Sequence, residues 1–191
     1  LDAASSFEVV VADDGSGAET AAEVERFAAT ATFPVEHVWQ EDRGFRLAAV
    51  RNRAVRAARG SILVFSDGDC VPYDGALEVH AACCVPGRAV AGQRCALDER
   101  ETEQVLADQE VSAAVFETAL RRERRRLRHL VWKNHFYRLT RTKPRPKLET
   151  CNAAVHREDF ERVNGFDERF EGWGYEDEDL ARRLRRVHVR V

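Results

Sequence analysis

The chain has 191 residues, of which 44% are hydrophobic and 33% charged, and this suits one globular domain of ordinary size. Its formal net charge of -3, from 30 basic and 33 acidic residues, excludes a strongly basic nucleic-acid-binding protein. No apolar run approaches the roughly 18 residues of a membrane-spanning helix, and no signal peptide opens the sequence. Leu1 is not an initiating methionine and the chain contains no Met, so we expect a piece of a longer product.

The cysteines are Cys70, Cys83, Cys84, Cys95 and Cys151. An odd number without Cys-x-x-Cys spacing argues against both a disulfide framework and a structural zinc site. We therefore expect buried, reduced thiols in a reducing compartment, and hence a cytoplasmic location.

Strands and helices are predicted to alternate along the first half of the chain. Apolar and β-branched runs predict strands at residues 7–13, 35–39, 61–65 and 89–95, the third buried on both faces. Apolar residues at helical spacing predict helices at 18–32, 47–59 and 73–85. This order predicts an α/β fold with a mainly parallel sheet flanked by helices.

The second half of the chain carries a basic stretch. A long helix is predicted from Glu101 to about His129, and residues 121–147 contain twelve Lys or Arg and one acid, Glu123. The rest of the chain is correspondingly acidic. We interpret the basic stretch as an insertion between two halves of one domain.

Two acidic turns follow predicted strands. Asp13 and Asp14 follow the first strand, and Asp67 and Asp69 flank Gly68 after the third. In open parallel sheets, ligands bind at the carboxyl ends of the strands. Clustered carboxylates repel one another unless a cation offsets their charge, and their hard oxygens suit Mg²⁺ or Mn²⁺. One such pair alone is more often a simple turn, but two pairs at successive strand ends favour a site.

A third acidic cluster lies near the C-terminus. Glu176 and Asp177 begin a predicted helix, where the helix dipole alone favours acids. Trp173 lies between Gly172 and Gly174, an arrangement that suits an aromatic face stacking on a sugar ring. A carboxylate beside that face is placed to accept a proton from a sugar hydroxyl.

Taken together, and in their order along the chain, these motifs resemble those of family-2 inverting glycosyltransferases of the GT-A fold. The matching segments are residues 7–16, 43–52, 66–72 and 151–180, which cover most of the chain outside the basic stretch. The last segment also resembles the galactosyltransferase-type Gly-Trp-Gly-x-Glu-Asp segment of bacterial capsule, lipopolysaccharide and chondroitin-type synthases. The resemblance implies transfer of a sugar from a nucleotide-diphosphate donor, a UDP-sugar, to a glycan or lipid-linked glycan in surface polysaccharide or lipopolysaccharide synthesis.

The resemblance also implies a role for each matching residue. The donor would be bound by Asp13, Asp14, Arg51, Asn52, Asp67 and Asp69. Asp69 and Asp67 would hold the Mn²⁺ or Mg²⁺ ion beside the diphosphate. Asp177 would be the general base, and Glu176, with which it could exchange roles, would orient the acceptor. Trp173 and Gly174 would contact the acceptor as well.

The sequence departs from the family pattern in two places. Only residues 1–6 precede the Asp-Asp-Gly-Ser strand, so the usual first strand, which lines the nucleobase pocket, is expected to be lacking. The usual metal-binding His lies farther along than this chain extends, and His188 is too close to the Glu-Asp helix to replace it. A catalytically inactive or truncated nucleotide- or glycan-binding module is therefore the alternative function.

Within a single domain, 1–191, we expect a nucleotide-sugar-binding half at 1–100, a helical basic insertion at 101–148 and an acceptor and catalytic half at 149–191. Three interpretations of residues 121–147 stay open. They form a solvated helix, they bind an acidic glycan, or they contact an anionic membrane at the cytoplasmic face of the inner membrane. No nucleic-acid-binding motif is present, so nucleic acid is not an expected partner.

Overall fold

The computed structural model describes residues 7–142 and 147–191. The expectation of a missing first strand falls on residues 1–6, which lie outside the described residues, as do residues 143–146 of the basic stretch. The elements are β1 (Val9–Asp13), α1 (Ala18–Thr30), β2 (Val35–Trp39), α2 (Leu47–Ala57), β3 (Ile62–Ser66), α3 (Ala76–Cys83), β4 (Val90–Ala91), α4 (Glu99–Asp108), α5 (Ala113–Thr140), β5 (Asn152–His156), α6 (Arg157–Arg162) and α7 (Glu176–Arg186).

β1 and β2 form a parallel pair joined by α1, as the predicted strand–helix–strand order requires. Val9 lies opposite Val35, and Asp13 lies opposite Trp39. Helix α2 packs against both strands. The α/β class predicted from the sequence is therefore confirmed.

β5 lies at the centre of a second sheet, between β3 and β4, and runs antiparallel to both. Ile62 of β3 lies opposite His156, and Val90 of β4 lies opposite Ala154. The sequence analysis did not predict β5. Because β5 is antiparallel to both neighbours, β3 and β4 run parallel to each other, and only β5 departs from the parallel arrangement that we had expected. The division of the domain into functional halves stays a prediction.

β3 is an edge strand in the described part of the chain. Leu63 is buried, whereas Val64 is exposed, so the prediction that this strand is buried on both faces is wrong. β1 and β3 also belong to separate sheets. We had expected the two acidic turns to end strands of one hydrogen-bonded sheet. Within residues 7–142 and 147–191 they end strands of two different sheets, so that expectation is wrong.

The predicted helix from Glu101 to His129 is two helices. Asp98 caps α4 through the Glu101 N–H, and Gln109 ends it in the left-handed conformation at φ 52°. The Ser112 hydroxyl then accepts a hydrogen bond from the Val115 N–H and begins α5. No helix of the described residues is long and apolar enough to cross a membrane.

The core lies between the three-stranded sheet and helices α6 and α7. Val155 of β5 and Leu180 and Leu184 of α7 are fully buried. The rings of Phe160 and Phe166 pack edge to face, with centroids 5.4 Å apart. This packing fixes the first turn of α7, which carries the third acidic cluster.

The thiols are less buried than we had expected. Cys84 and Cys151 are buried, Cys70 and Cys95 are half-buried, and Cys83 is exposed. The prediction of buried thiols is therefore wrong for three of the five cysteines. All five are free.

Candidate active site

Arg51 of α2 lies between two of the predicted acidic clusters. Its Nη2 is 2.8 Å from Asp67 Oδ1, and its Nη1 is 3.5 Å from Glu176 Oε1 and 3.6 Å from Asp177 Oδ1. The Arg51 side chain is only 8% exposed. One buried cation therefore joins the loop after β3 to the first turn of α7.

The position of Arg51 follows from how α2 packs. Ala48 and Val50 on the same helix are buried in the protein interior. The Arg51 guanidinium also lies over the Phe166 ring, 5.7 Å from its centroid. Its charge is thus held in place by packing as well as by carboxylates.

Asp67, Asp69 and Cys70 lie together in the turn after β3, with potential ligand atoms all within 4.8 Å of one another. The Cys70 thiol donates a hydrogen bond to Asp69 Oδ1 at 3.6 Å. Burial and then the charge of Asp69 raise the pKa of Cys70 to about 11, so the thiol is protonated at neutral pH. Among the described residues, no candidate ligand group includes His188.

This turn fits a divalent cation. It offers two carboxylates, and Asp69 is exposed, so an ion there can keep open positions for phosphate oxygens. Cys70 is a third potential ligand that the sequence analysis did not single out. Its position directly after the Asp-Gly-Asp motif was the available signal.

Asp177 is held by Thr150, a residue that the sequence analysis missed. The Thr150 N–H donates to Asp177 Oδ2 at 3.0 Å, and the Thr150 hydroxyl donates to Oδ1 at 2.7 Å. The Asp177 side chain is 26% exposed, whereas that of Glu176 is 9% exposed. Of the two carboxylates, Asp177 is therefore the more open to a ligand.

Trp173 is 91% exposed in the loop before α7. Gly172 and Gly174 flank it at φ 83° and 96°, conformations that glycine adopts at little cost. The Gly172 N–H donates to the Phe45 carbonyl at 2.8 Å, which ties this loop to the segment before α2. The indole is consequently displayed on an anchored loop, as a stacking surface requires.

Asp13 is buried at the end of β1. It accepts hydrogen bonds from the Ser16 N–H at 2.7 Å and from His37 Nε2 at 2.9 Å. Burial raises its pKa, but these two hydrogen bonds outweigh burial, and the pKa of Asp13 lies below its ordinary value. Asp13 is therefore a charged group within the turn that follows β1.

Asp14 ties the same turn to the start of α2. It accepts hydrogen bonds from Gln40 Nε2 and from the Arg46 N–H, each at 2.5 Å. Both carboxylate oxygens thus have protein donors. The donor-binding roles of Asp13 and Asp14 stay predictions.

Asn52 anchors the loop after α6. Its Nδ2 donates to the Phe166 carbonyl at 2.9 Å, and its Oδ1 accepts from the Phe166 N–H at 2.9 Å. Nδ2 also donates to Glu168 Oε1 at 2.9 Å. The Asn52 amide is thus engaged with the loop after α6, and its donor-binding role stays a prediction. The predicted site residues that the structure brings together are Arg51, Asp67, Asp69, Glu176 and Asp177.

Comparison with known proteins identifies a family. The family model described as Glycosyl transferase family 2 matches residues 2–163. A validoxylamine A glucosyltransferase from Streptomyces hygroscopicus subsp. jinggangensis is 32% identical over 93% of this chain and 44% of its own. Chondroitin synthases from Pasteurella multocida and Escherichia coli are 28% and 27% identical, over 93% and 94% of this chain and 20% and 28% of theirs.

The chain thus spans less than half the length of these curated relatives. The family match ends at residue 163, before the Gly-Trp-Gly loop and α7. The similarity to the named relatives extends over 93% or more of the chain.

Proposed function

The chain belongs to the family-2 glycosyltransferases, with an α/β fold of the GT-A type, and from this membership we propose that it transfers a sugar from a UDP-sugar to a glycan acceptor with inversion. The names of the relatives, a glucosyltransferase and chondroitin synthases, favour a hexosyl donor and a carbohydrate or carbohydrate-like acceptor. Surface polysaccharide or lipopolysaccharide synthesis is the proposed pathway.

The observation that supports this proposal most is the position of Arg51. It contacts Asp67 in the acidic turn after β3 and approaches Glu176 and Asp177 on α7. Donor-binding and acceptor-binding groups must lie within a few ångströms of each other for direct transfer, because the reacting atoms have to meet. The Arg51 guanidinium lies next to both the predicted donor-binding carboxylates and the predicted catalytic base.

On the donor side, the nucleoside diphosphate would lie against the turn of Asp67 and Asp69. These two carboxylates would hold a divalent cation, Mn²⁺ or Mg²⁺. When bound, such an ion offsets the negative charge that grows on the leaving diphosphate. Asp13 and Asp14 would contact the nucleoside, and Arg51 would orient Asp67 through its 2.8 Å hydrogen bond.

On the acceptor side, Asp177 would take the proton from the attacking hydroxyl. The acceptor oxygen then forms a bond to the anomeric carbon, and the bond from that carbon to the diphosphate oxygen breaks with its electron pair leaving on the phosphate. Attack opposite the leaving group inverts the anomeric centre. Glu176, more buried and paired with Arg51, would orient the acceptor.

Trp173 would form one wall of the acceptor site. Its exposed indole offers an apolar face to a sugar ring, and Gly174 leaves the backbone beside it unobstructed. Only Tyr175 and Glu176 separate this loop from Asp177 in the sequence, so a stacked sugar would present its hydroxyls near α7.

Calorimetric titration of UDP, with and without Mn²⁺, tests the donor site. We expect binding that depends on the ion, that is lost in Asp69→Ala and that is retained in Asp74→Ala, an exposed acid farther along the same loop. Equal binding to both variants would overturn the donor assignment. A panel of UDP-sugars follows, with inversion read from the anomeric configuration of the product by NMR.

The same protein distinguishes the alternative of a catalytically inactive binding module. An active enzyme releases UDP from a UDP-sugar faster when an acceptor is supplied, and Asp177→Asn should lower that release by about 100-fold or more. Binding of UDP without any release, across donors and acceptors, would favour the inactive module.

For the partner of the basic stretch, we propose an anionic membrane, at the cytoplasmic face of the inner membrane. Along α5, a shallow groove of about 660 Å³ is lined by Glu117, Leu120, Arg121, Arg124, Leu127, Arg128, Val131 and Trp132. Val131 is exposed, and Trp132 is 72% exposed. Arginines attract anionic headgroups while apolar side chains enter the interface, a combination that free anionic glycans do not require.

Vesicle sedimentation tests this contact. Binding is expected to vesicles that contain an anionic phospholipid and not to zwitterionic vesicles, and to fall with salt. The pair Arg124→Glu and Arg128→Glu should abolish it, whereas Arg26→Glu and Arg53→Glu, exposed on other helices, should not. Binding to a soluble acidic glycan but not to anionic vesicles would overturn the membrane proposal.

A further inference from the structure

Thr150 supplies two hydrogen-bond donors to one carboxylate. Its N–H reaches Asp177 Oδ2 at 3.0 Å, and its hydroxyl reaches Oδ1 at 2.7 Å. Thr150 itself is 1% exposed. Each oxygen of Asp177 therefore has its own donor on the same residue, so the plane of the carboxylate is set by Thr150.

The local backbone makes Thr150 a rigid support. It precedes β5, between the buried Leu148 and Cys151, and the Asn152 N–H closes the turn by donating to the Glu149 carbonyl at 3.1 Å. A β-branched side chain also has restricted rotation about its first torsion. The hydroxyl is thus oriented by the core rather than by solvent.

Arg51 competes for the same carboxylate. Its Nη1 is 3.6 Å from Asp177 Oδ1, beyond the length of a normal hydrogen bond but within the distance of an ion pair. Without the Thr150 hydroxyl, Asp177 Oδ1 would lose its donor, and the carboxylate would be able to turn about the remaining contact with the Thr150 N–H and close onto the guanidinium. A carboxylate bound in that way would present its oxygens to Arg51 instead of to an acceptor.

We propose that Thr150 is a positioning residue that holds the Asp177 carboxylate away from Arg51 and in the orientation that accepts the acceptor's proton. A carboxylate oxygen can accept two hydrogen bonds, so Thr150 leaves accepting capacity on Oδ2 of Asp177, whose side chain is 26% exposed. This inference rests on the proposed function, in which Asp177 is the base. It adds a residue that the family-model match covers but that no comparison singles out.

Two substitutions isolate the hydroxyl. Thr150→Val keeps the shape and the N–H donor but removes the O–H donor, and Thr150→Ser keeps both donors. We expect Thr150→Val to lower kcat by about 10- to 100-fold, the factor for one hydrogen bond to a charged group. UDP affinity and the acceptor KM should change by less than about threefold, because Thr150 is only 1% exposed and so offers little surface to either ligand.

Thr150→Ser keeps the hydroxyl but lacks the methyl group that restricts its rotation, so its kcat should fall much less than that of Thr150→Val. A general loss of stability would predict the opposite order, because Thr150→Ser removes more buried packing than Thr150→Val. Thr118→Val, an exposed threonine on α5, serves as the matched control. If kcat of Thr150→Val equals that of the wild type and Asp177→Asn is inactive, the positioning role is overturned. The proposed function then still stands, because Asp177 is still required. Activity retained in Asp177→Asn would instead overturn the base assignment, and with it this inference.

A second measurement does not depend on turnover. The Thr150 amide is expected to exchange its hydrogen slowly, and to exchange faster in Asp177→Ala, because its acceptor is then lost. Glu178→Ala, at the next and exposed position of α7, should leave that exchange rate unchanged. Equal exchange rates in both variants would show that Thr150 does not hold Asp177, whatever the activity of the chain.

Discussion

Arg51 and Glu176 form a buried ion pair, with Nη1 3.5 Å from Oε1 and side chains that are 8% and 9% exposed. The same guanidinium donates to Asp67 at 2.8 Å. Buried carboxylates are stable only beside a cation or strong donors, because desolvation disfavours their charged form. The acidic turn after β3 and the acidic start of α7 consequently depend on one residue of α2.

Arg51→Met tests this dependence. The substitution keeps an unbranched apolar stem and removes the charge, which leaves Glu176 buried without its cation. The free energy of unfolding, measured with urea, should fall by about 3 kcal/mol. Arg53→Met, on the same helix but exposed, should change it by less than about 0.5 kcal/mol.

A second substitution separates loss of the pair from loss of packing. Adding Glu176→Gln to Arg51→Met removes the uncompensated charge and should restore part of the lost stability. Stability of the double variant no better than that of Arg51→Met alone would show that the ion pair does not support the site.

Asp177→Asn and Glu176→Gln should differ in their kinetic effects. Asp177→Asn removes the base and should lower kcat by about 100- to 10,000-fold with UDP affinity unchanged. Glu176→Gln keeps the base and should act mainly on the acceptor KM. Steady-state release of UDP measures both, and the reverse pattern would assign the base to Glu176.

The strands and helices of the first half were largely predictable, because each is a local pattern. The segment Val35–Trp39 agrees with its predicted bounds, and α1 and α2 begin at their predicted first residues. β5 was not predicted, since Asn-Ala-Ala-Val-His is short and lacks alternation, and it is a strand only because β3 and β4 flank it. The break between α4 and α5 depends on Gln109 and Ser112, whose capping pattern is weaker than the helical composition around it.

The candidate site was predictable as residue types but not as contacts. Sequence motifs predicted that the acidic turn after β3 and the Glu-Asp pair of α7 belong to the site. The fold places both next to Arg51. Thr150 carries no motif, and its role depends on β5 lying next to α7, which only the tertiary structure provides. Likewise, the sequence does not indicate that the Asn52 side-chain amide forms hydrogen bonds with the Phe166 backbone.

Asp13 should make stability depend on pH at the acid end. Burial raises the pKa of Asp13, but the hydrogen bonds from the Ser16 N–H and His37 lower it by more than burial raises it. The pKa in the folded protein therefore lies below the ordinary value near 4. The resulting stabilisation is present above that ordinary pKa and is lost as the pH falls through the lowered folded value. Asp13→Asn should therefore flatten the decrease in melting temperature below about pH 4.

Thermal unfolding between neutral and acid pH measures this effect. Asp74→Asn, at an exposed carboxylate, serves as the control and should follow the wild-type curve. Parallel curves for Asp13→Asn and the wild type would show that the buried carboxylate contributes nothing to the acid transition.

Asn52→Ala separates a structural role from a donor-binding role. It leaves the Phe166 N–H and carbonyl without their partners, at a cost of about 1–3 kcal/mol for a buried unpaired group. If that is its only role, UDP affinity at a temperature where the variant is folded should match the wild type. Calorimetric titration decides, and weaker UDP binding by a folded variant would support the donor contact predicted from the sequence.

Trp173→Ala and Trp132→Ala should impair different functions, the first acceptor binding and the second membrane binding. Both indoles are exposed, at 91% and 72%, so neither substitution should change the free energy of unfolding by more than about 0.5 kcal/mol. Trp173→Ala removes the stacking surface and should raise the acceptor KM about tenfold, which corresponds to roughly 1.4 kcal/mol, with vesicle binding unchanged. Trp132→Ala should weaken binding to anionic vesicles and leave the acceptor KM unaltered, because it lies on the apolar and basic groove of α5. An acceptor KM that responds to Trp132→Ala and not to Trp173→Ala would move the acceptor site from the Gly-Trp-Gly loop to α5.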